Sequence, residues 1–538
     1  MDNKKYFGVM LDMSRNGVMK VDEIKKYASI VKKMNYNMIQ LYMEDVYEVE
    51  GEPYFGYMRG RYSQKELKEI VDYCNSIDIE VVPCIQTLAH LENLLRWPIY
   101  QDIIDVDNIL LVGEERVYTL IDRMFSSLRK TFTTNMIHIG MDEAYLLGLG
   151  KYLEKHGFTN RTNILKEHLT KVMDLATKYN FEPMMWSDMF FRLANNGEYY
   201  PSEPTLTKEV IKSVPKDLNL VYWDYFHTDK EYIKKMMKAH LLSGSNVWFA
   251  GGAWTWAGFS SGNRFALNTM IPAMSAAKEC GLNNILFTLW GDYGKECSYY
   301  SVLPALFTAR RVYDGETNIN TIKKEFKELM NIDYDSMMDL DIPNYVGKNK
   351  NTNTKENPSK HMFYSDPFLG FLDSTISSGV KEEYIEYAKK LRSHINGSEF
   401  DYLFKNAAQL CDVLSIKYGL GRKTRDLYQN GNKKSLRCIL TDYDKVLEYL
   451  DGFYETFRTM WFKECKPNGF EIFDIKIGGL KQRLIHCKRR LIEYLDGKID
   501  SIPELEEKLL DYYGNVSEFI EEAPYITPWS KIACVSII

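Results

Sequence analysis

The chain has 538 residues, of which 45% are hydrophobic and 26% charged, the composition of an ordinary globular protein with two or three domains. Its net charge of −6 and the lack of a sustained basic stripe exclude nucleic acid as an expected partner. No stretch approaches the roughly 20 apolar residues that span a bilayer, and no secretory signal precedes the first apolar segment. We therefore expect no membrane partner.

The nine cysteines are scattered along the chain and include no Cys-x-x-Cys pair. This spacing favours neither a disulfide framework nor a zinc ribbon. They are interpreted as buried thiols in a reducing compartment, so we expect a cytoplasmic protein.

Eight short apolar segments, rich in β-branched or aromatic residues and apolar on both faces, predict strands of a covered parallel sheet. In chain order they are Phe7–Leu11, Met38–Tyr42, Ile79–Ile85, Met136–Gly140, Pro183–Trp186, Leu218–Trp223, Asn246–Ala250 and Ile285–Leu289.

Longer amphipathic segments separate these strands and predict helices. They are Val21–Met34, Gln64–Asn75, Arg116–Lys130, Thr162–Tyr179, Asp229–Leu242, Ala266–Cys280 and Leu303–Tyr313. Eight strand–helix units predict an α/β fold, a (β/α)8 TIM barrel over residues 1–340. The alternative, a doubly wound sheet, usually has a Gly-rich turn after the first strand, and Leu11–Arg15 contains no glycine.

The remainder of the chain has a different pattern. Residues 341–362 are polar and without apolar periodicity, and are interpreted as a linker or long loop. Residues 363–538 predict an all-α domain, because apolar residues recur at three- and four-residue spacing. Its longest predicted helices are Lys381–Ile395, Tyr402–Tyr418, Ser435–Phe462 and Leu480–Leu495.

Two adjacent carboxylates, Asp142 and Glu143, follow the fourth predicted strand. Neighbouring like charges repel and are costly to desolvate, so a core would not contain them without a function. In a barrel, the chemistry lies just beyond the carboxyl ends of the strands. A loop that begins with solvated acids is the alternative interpretation.

The four following strands each end in tryptophan, and three of them carry an acid within two residues. The segments are Trp186-Ser187-Asp188, Trp223-Asp224, Trp254-Thr255-Trp256 and Trp290-Gly291-Asp292. Any one of these tryptophans alone is more typical of a core. Together, stacked aromatic rings and carboxylates match the apolar faces and hydroxyl edges of a pyranose.

The barrel segment resembles the family-20 glycoside hydrolases, the β-N-acetylhexosaminidases. The most specific motif is His138-x-Gly140-x-Asp142-Glu143, and His90 and Trp290-x-Asp292 also fit. The helical C-terminal region looks like that of a bacterial branch of this family.

The resemblance implies an exo-acting enzyme that removes terminal β-linked GlcNAc or GalNAc with retention, through an oxazolinium formed by the substrate's own acetamide. It implies that Glu143 is the general acid/base and that Asp142 orients the acetamide. It further implies that substrate is bound by Glu44, Trp186, Trp223, Asp224, Tyr225, Trp254, Trp290 and Asp292, with His90 and Asp45 or Glu44 behind Glu143. For His90 alone, a structural histidine is an equal alternative.

Two positions depart from the family pattern. The arginine that commonly precedes the glycine of the first strand is Phe7 here, so hydroxyl recognition is expected from elsewhere, such as Glu44. The tyrosine expected near the acetamide after the seventh strand is also missing, and Tyr225 or Tyr222 is the predicted substitute. Arg15 matches the family, and is interpreted as a structural ion-pair partner.

Three other functions stay open. A metal-dependent barrel hydrolase would use His90, His138, His227, Asp142 and Glu143, but no His-x-His or His-Glu-x-x-His pair is present. A non-catalytic sugar-binding barrel would not need the acid pair. A retaining glycosidase with a carboxylate nucleophile would prefer unacetylated sugars. We expect no cofactor and no metal; the expected partner is an oligosaccharide or glycoconjugate, and the helical appendage suggests a homodimer.

Overall fold

The computed structural model describes residues 5–350, 355–525 and 528–536. The strands are β1 Tyr6–Asp12, β2 Met38–Tyr42, β3 Glu80–Cys84, β4 Ile104–Val106, β5 Ile109–Leu110, β6 Met136–His138, β7 Glu182–Trp186, β8 Asn219–Asp224, β9 Val247–Gly252 and β10 Asn284–Leu289. Eight of them form a closed barrel in the order β1-β10-β9-β8-β7-β6-β3-β2, and every pair is parallel. Strands β4 and β5 form a separate antiparallel pair. The predicted fold class is confirmed.

Helices connect the barrel strands. They are α1 Val21–Lys33, α2 Gln64–Ser76, α3 Glu92–Leu95, α4 Glu115–Arg129, α5 Lys151–His156, α6 Arg161–Lys178, α7 Asp188–Ala194, α8 Lys208–Ser213, α9 Lys230–Leu241, α10 Asn263–Glu279 and α11 Leu303–Asp314. Local signals explain several of their ends. Ser63 and Glu66 form a reciprocal capping box at the start of α2, which satisfies two backbone N–H groups that the first turn leaves without partners.

The later helices are α12 Ile319–Met330, α13 Tyr334–Met338, α14 Pro358–Tyr364, α15 Val380–Ser393, α16 Asp401–Lys417, α17 Leu420–Gln429, α18 Lys433–Cys438, α19 Leu440–Glu464, α20 Glu471–Leu495, α21 Pro503–Glu506 and α22 Ser530–Ala533. Helix α16 packs against α15 and α19. Within the described ranges, no helix is long and apolar enough to cross a membrane.

The chain forms two compact units. They are not divided by a single cut at residue 340, because each unit comprises several segments of the chain. The first comprises Met1–Ala253, Ala266–Trp290 and Leu306–Asn318, and contains the whole barrel sheet. The second comprises Trp254–Phe265, Gly291–Ala305 and Ile319–Ile538. Two loops that follow barrel strands β9 and β10 therefore belong to the second unit.

The second unit is held by an aromatic core and by buried charges. Phe259 lies 4.9 Å from Phe363 and 5.1 Å from Phe453, measured between ring centroids. The Glu296 carboxylate lies 3.0 Å from Lys360 Nζ and 3.3 Å from Lys476 Nζ. Because a buried charge without a partner is costly, this cluster fixes the loop after β10 to the helices.

The segment expected to be a linker contains ordered turns where it is described. Short 3₁₀ turns span Asp339–Asn344 and Gly347–Lys350, and α14 begins at Pro358. Lys360 and His361 are fully buried. The polar residues that suggested a linker thus include partners of a buried ion cluster, and the domain boundaries at 340 and 363 stay a prediction.

Candidate active site

The turn after β6 separates the carboxylate pair from the strand. Gly140, Met141 and Glu143 have φ angles of +71°, +68° and +53°. A Cβ atom on Gly140 would lie 2.1 Å from Gln86 Oε1 and 2.7 Å from Ile85 O, so only glycine fits there. Non-glycine residues in this conformation are strained, and such strain clusters at functional sites.

Asp142 is largely buried and lies among charged and polar groups. Its Oδ1 accepts a hydrogen bond of 2.8 Å from Gln86 Nε2, and its Oδ2 lies 3.3 Å from His90 Nε2. Burial alone would raise the pKa of Asp142, but the nearby His90 charge and the hydrogen bond from Gln86 lower it to about 2. Burial opposes protonation of His90, yet the Asp142 charge raises the His90 pKa to about 9. At neutral pH the two therefore form an ion pair.

Glu143 is more accessible and has different partners. Its side chain is 37% exposed, and Oε2 lies 3.7 Å from His90 Nε2. Its Oε1 accepts a 2.7 Å hydrogen bond from the Tyr145 hydroxyl. Its backbone N–H donates to Asp188 Oδ2 at 3.1 Å. Adjacent carboxylates thus have distinct environments, one buried and ionised, the other reachable by a ligand.

Asp188 was noted among the acids at the strand ends but was given no role in the predicted site. It is fully buried at the start of α7. Burial, and next the charge of Asp142, raise its pKa to about 7. Its position two residues beyond β7 follows the strand-end rule that identified Asp142.

Glu44 and Asp45, after β2, bind different arginines. Burial raises the pKa of Glu44 to about 7, with Arg15 as the main opposing charge. Glu44 Oε1 lies 3.5 Å from Arg15 Nε and accepts a 2.9 Å hydrogen bond from the Tyr42 hydroxyl. Asp45 Oδ1 instead accepts a 3.0 Å hydrogen bond from Arg59 Nε. His90 lies beside Asp142 and Glu143, its charge also acts on Glu44, and Asp45 anchors the loop that contains Arg59.

Arg15 forms the ion pairs that the sequence suggested. Its guanidinium lies 3.3 Å from Asp12 Oδ2. It also lies 4.5 Å from the ring centroid of Tyr42 and 4.7 Å from that of Trp290. The residue therefore links the end of β1 to an aromatic wall.

Four of the predicted aromatic residues come together. The ring centroids of Trp186 and Trp290 are 6.0 Å apart, and Trp290 Nε1 donates a 3.1 Å hydrogen bond to the Tyr225 hydroxyl. Trp223 stacks on Tyr225 at 5.2 Å. These rings lie in contact with one another at the carboxyl ends of β7, β8 and β10. Their contact with a sugar stays a prediction.

Asp224 has protein partners on both carboxylate oxygens. Tyr222 donates to Oδ2 at 2.6 Å, and His227 Nδ1 lies 2.9 Å from the same oxygen. The backbone N–H groups of Phe226 and His227 donate to Oδ1. The carboxylate therefore organises the turn after β8, and a direct bond to a sugar hydroxyl would have to displace one of these partners. Tyr222, the other proposed acetamide partner, uses its hydroxyl proton for the hydrogen bond to Asp224 in this turn.

Trp254 and Asp292 belong to the second unit. Trp254 has φ of +55° and stacks on Trp256 at 4.7 Å, with Tyr525 at 5.9 Å. Burial and the charge of Asp292 raise the pKa of Tyr525, against a hydrogen bond from Trp256. Contact of Trp254 and Asp292 with substrate stays a prediction.

Several polar neighbours of the carboxylates were not selected from sequence: Tyr42, Gln86, Tyr145 and Arg192. Gln86 follows β3 by two residues, and Arg192 lies one helical turn after Asp188. Both positions are visible once strand ends are known. Tyr145 carries no such signal, because its contact with Glu143 depends on the left-handed turn.

A closed (β/α)8 barrel with an acid pair at its strand ends is the architecture of a barrel enzyme, and two family models identify the class as glycoside hydrolase. A family model described as the catalytic domain of glycosyl hydrolase family 20 matches residues 5–249. Another, described as the Glycoside Hydrolase 20C C-terminal domain, matches residues 335–522. The two together cover more than half of the chain.

The chain also resembles curated proteins. It is 24% identical to Hexosaminidase D of Bos taurus over 211 residues, which are 37% of this chain and 61% of that protein. It is 24% identical to Hexosaminidase D of Homo sapiens over 212 residues, which are 37% of this chain and 43% of that protein. The chain thus matches less than two thirds of the length of either relative.

A solved structure of a GH20 exo β-N-acetylglucosaminidase from Vibrio harveyi, in complex with N-acetylglucosamine, aligns with a TM-score of 0.47 at 15% identity. The alignment covers 61% of this chain and 58% of that one. From the two family models, the chain belongs to glycosyl hydrolase family 20, and the resemblance stated from the sequence is confirmed.

Proposed function

We propose that the chain is an exo-acting β-N-acetylhexosaminidase that removes terminal β-linked GlcNAc or GalNAc from an oligosaccharide or glycoconjugate. Family membership and the name of both curated relatives support this activity. The observation that carries the proposal is the contrast between Asp142, buried and ionised, and Glu143, half-exposed beside it.

Asp142 is suited to the substrate's acetamide group. As the acetamide oxygen attacks C1, positive charge develops on the oxazolinium, and an ionised carboxylate held by Gln86 and His90 stabilises that charge. Because the carboxylate is already desolvated and fixed, little reorganisation accompanies the reaction.

Glu143 is suited to proton transfer. In the first step it protonates the glycosidic oxygen as the C1–O bond breaks and the acetamide oxygen bonds to C1. In the second it takes a proton from the water that attacks C1 and opens the oxazolinium. The two displacements at C1 give retention of configuration.

Two buried polar atoms at the end of β7 and the start of α7 also favour a polar ligand. Within the described ranges, Trp186 Nε1 and Asp188 Oδ1 are buried and have no hydrogen-bond partner in the protein. Buried donors and acceptors are normally satisfied. A donor and an acceptor of this kind suit the amide and hydroxyl groups of an N-acetylated sugar.

The decisive experiment compares two substitutions on nitrophenyl and poorly activated N-acetylglucosaminides. Glu143→Gln should reduce the rate most for poor leaving groups, because those need protonation. Asp142→Asn should reduce both classes by a similar factor, about 10²–10³. Asp122→Asn, on the outer helix α4, is the control and should leave both rates unchanged.

The acetamide nucleophile is tested by substituting fluorine on the acetamide methyl group. Wild-type rates should fall steeply with each added fluorine, because the carbonyl oxygen becomes a weaker nucleophile. A flat dependence, or faster turnover of plain glucosides, would contradict the proposed mechanism and favour a carboxylate nucleophile. Tight binding of these sugars without any turnover would favour a sugar-binding protein.

A metal-dependent hydrolase is the second candidate, because His90, Asp142 and Glu143 place ligand atoms within 4.8 Å of one another. The same three side chains serve the metal-independent mechanism as an ion pair of His90 with Asp142 and a neighbouring acid. Activity that is lost on chelation and restored by a divalent metal would reverse this preference.

We also propose a cytoplasmic location and a homodimer. All nine cysteines lie in the described ranges and carry free thiols, which suits a reducing compartment. Sedimentation of the full chain would test the dimer, and fractionation of its host cell would test the location.

A further inference from the structure

Tyr145 contacts the proposed acid directly. Its hydroxyl donates a 2.7 Å hydrogen bond to Glu143 Oε1. Burial, and next the charge of Glu143, raise the pKa of Tyr145 well above its ordinary value. The hydroxyl therefore stays protonated at neutral pH and can act only as a donor towards this carboxylate.

Arg192 fixes Tyr145 from the other side. Its Nη2 donates to the Tyr145 hydroxyl oxygen at 3.2 Å, and its guanidinium lies 4.7 Å from the Tyr145 ring centroid. Its Nη1 donates to the Gly197 carbonyl at 2.9 Å, and Nε lies 3.5 Å from Asp188 Oδ2. Because Arg192 donates to the hydroxyl oxygen, the hydroxyl proton of Tyr145 points away from the arginine and is donated to Glu143.

We propose that Tyr145 is a positioning residue for the general acid, with Arg192 as its support. The inference rests on the proposed function of Glu143. With Oε1 held by Tyr145, the transferable proton belongs to Oε2, which then faces the glycosidic oxygen. After transfer, the carboxylate accepts the Tyr145 hydrogen bond while it waits for the proton of the attacking water.

The test is the dependence of rate on the leaving group. Tyr145→Phe keeps the ring and removes the hydroxyl, so Glu143 remains but is no longer held. We expect kcat/KM to fall about 10- to 100-fold for poor leaving groups, the scale of a small misplacement of a reacting group. The fall should be several-fold smaller for nitrophenolates, so the plot of rate against leaving-group acidity becomes steeper.

A matched control removes an equivalent hydrogen bond away from the site. The Tyr179 hydroxyl, after α6, donates to Asp122 Oδ1 at 3.1 Å, and Tyr179→Phe should leave the slope unchanged. Arg192→Lys keeps the charge but loses the planar set of donors. It should steepen the slope in the same direction as Tyr145→Phe, and it carries the test if Tyr145→Phe does not fold.

Two outcomes would contradict the inference, and they can be told apart by the activity of the wild type. The first outcome is an active wild type with Tyr145→Phe and Arg192→Lys variants that lose activity equally for all leaving groups, or do not lose it at all. This outcome would overturn the positioning role alone. A wild type without activity on any N-acetylhexosaminide would overturn the proposed function, and this inference with it.

Discussion

The ion pair of His90 and Asp142 has a definite pH signature. The raised pKa of His90, about 9 against 6.5, means that its stabilising charge is fully present below pH 6.5 and is lost as the pH rises through about 9. The lowered pKa of Asp142, about 2 against 3.8, means that its contribution is lost only as the pH falls below 3.8. The pair is therefore strongest between these limits, near pH 4 to 6.5.

His90→Asn tests this signature. Asparagine tolerates the left-handed conformation that His90 adopts at φ of +57°, so the substitution removes the charge without much backbone strain. We expect the free energy of unfolding to fall by about 1–3 kcal/mol near pH 6, and by much less above about pH 9. Denaturant titration at both pH values measures the difference.

The control is His156→Asn, at the exposed end of α5. It should change stability little at either pH. A loss for His90→Asn that is the same at both pH values would mean that the ion pair is not the stabilising interaction.

At the residue scale, the sequence was sufficient to locate the site residues that directly follow a strand. Asp142, Glu143 and Trp290 follow strands whose ends are visible as changes from apolar to polar sequence. The partners of each group were harder to predict, because they depend on where side chains turn. Asp45 binds Arg59, and Glu143 binds Tyr145 two residues away. No spacing in the sequence shows these contacts.

The turn between β6 and the acid pair is the element on which the geometry of both carboxylates depends. Gly140→Ala would place a methyl group against Ile85 O and Gln86, and Gln86 is the residue that holds Asp142. We expect a loss of about 2–4 kcal/mol in stability and at least a tenfold loss of activity. Denaturant titration and kcat/KM measure the two effects.

Gly244 offers a matched control. It has a similar φ of +75°, and a Cβ atom there would meet nothing within 4 Å. Gly244→Ala should cost only the conformational strain, about 1–2 kcal/mol, with activity unchanged. Equal losses in both variants would show that the contact with Gln86 has no importance.

All eight barrel strands were predictable because burial on both faces gives continuous apolar segments. The ends of the strands and helices were less predictable. Strand β6 ends at His138, before the predicted Gly140, because the chain enters left-handed conformations there. Helix α20 begins at Glu471, before the predicted Leu480. Gly478 and Gly479 lie inside this helix, where tertiary packing of Phe473 and Ile477 overrides their low helix propensity.

At the scale of the whole molecule, the second unit includes the two loops that follow strands β9 and β10. Phe259 packs on Phe363 and Phe453, and Glu296 pairs with Lys360 and Lys476. A chain that ends after residue 340 would therefore expose an aromatic side chain and leave a buried acid without its lysines.

We expect such a shortened chain to be insoluble or to unfold without cooperativity, whereas the full chain unfolds cooperatively. Circular dichroism during heating, with binding of a hydrophobic dye, compares the two. A soluble 1–340 chain with a sharp transition close to that of the full chain would show that the barrel is independent of the helical unit.

The ion pairs of the loop after β10 also determine when during synthesis this loop can be covered. Glu296 and Lys476 are 180 residues apart, which a ribosome needs roughly 10 to 35 seconds to synthesise. During that interval every barrel strand has already been made, while the loops after β9 and β10 still lack the helices that cover them. A nascent chain is therefore expected to be most open to proteases and chaperones at these two loops, until the last long helix emerges.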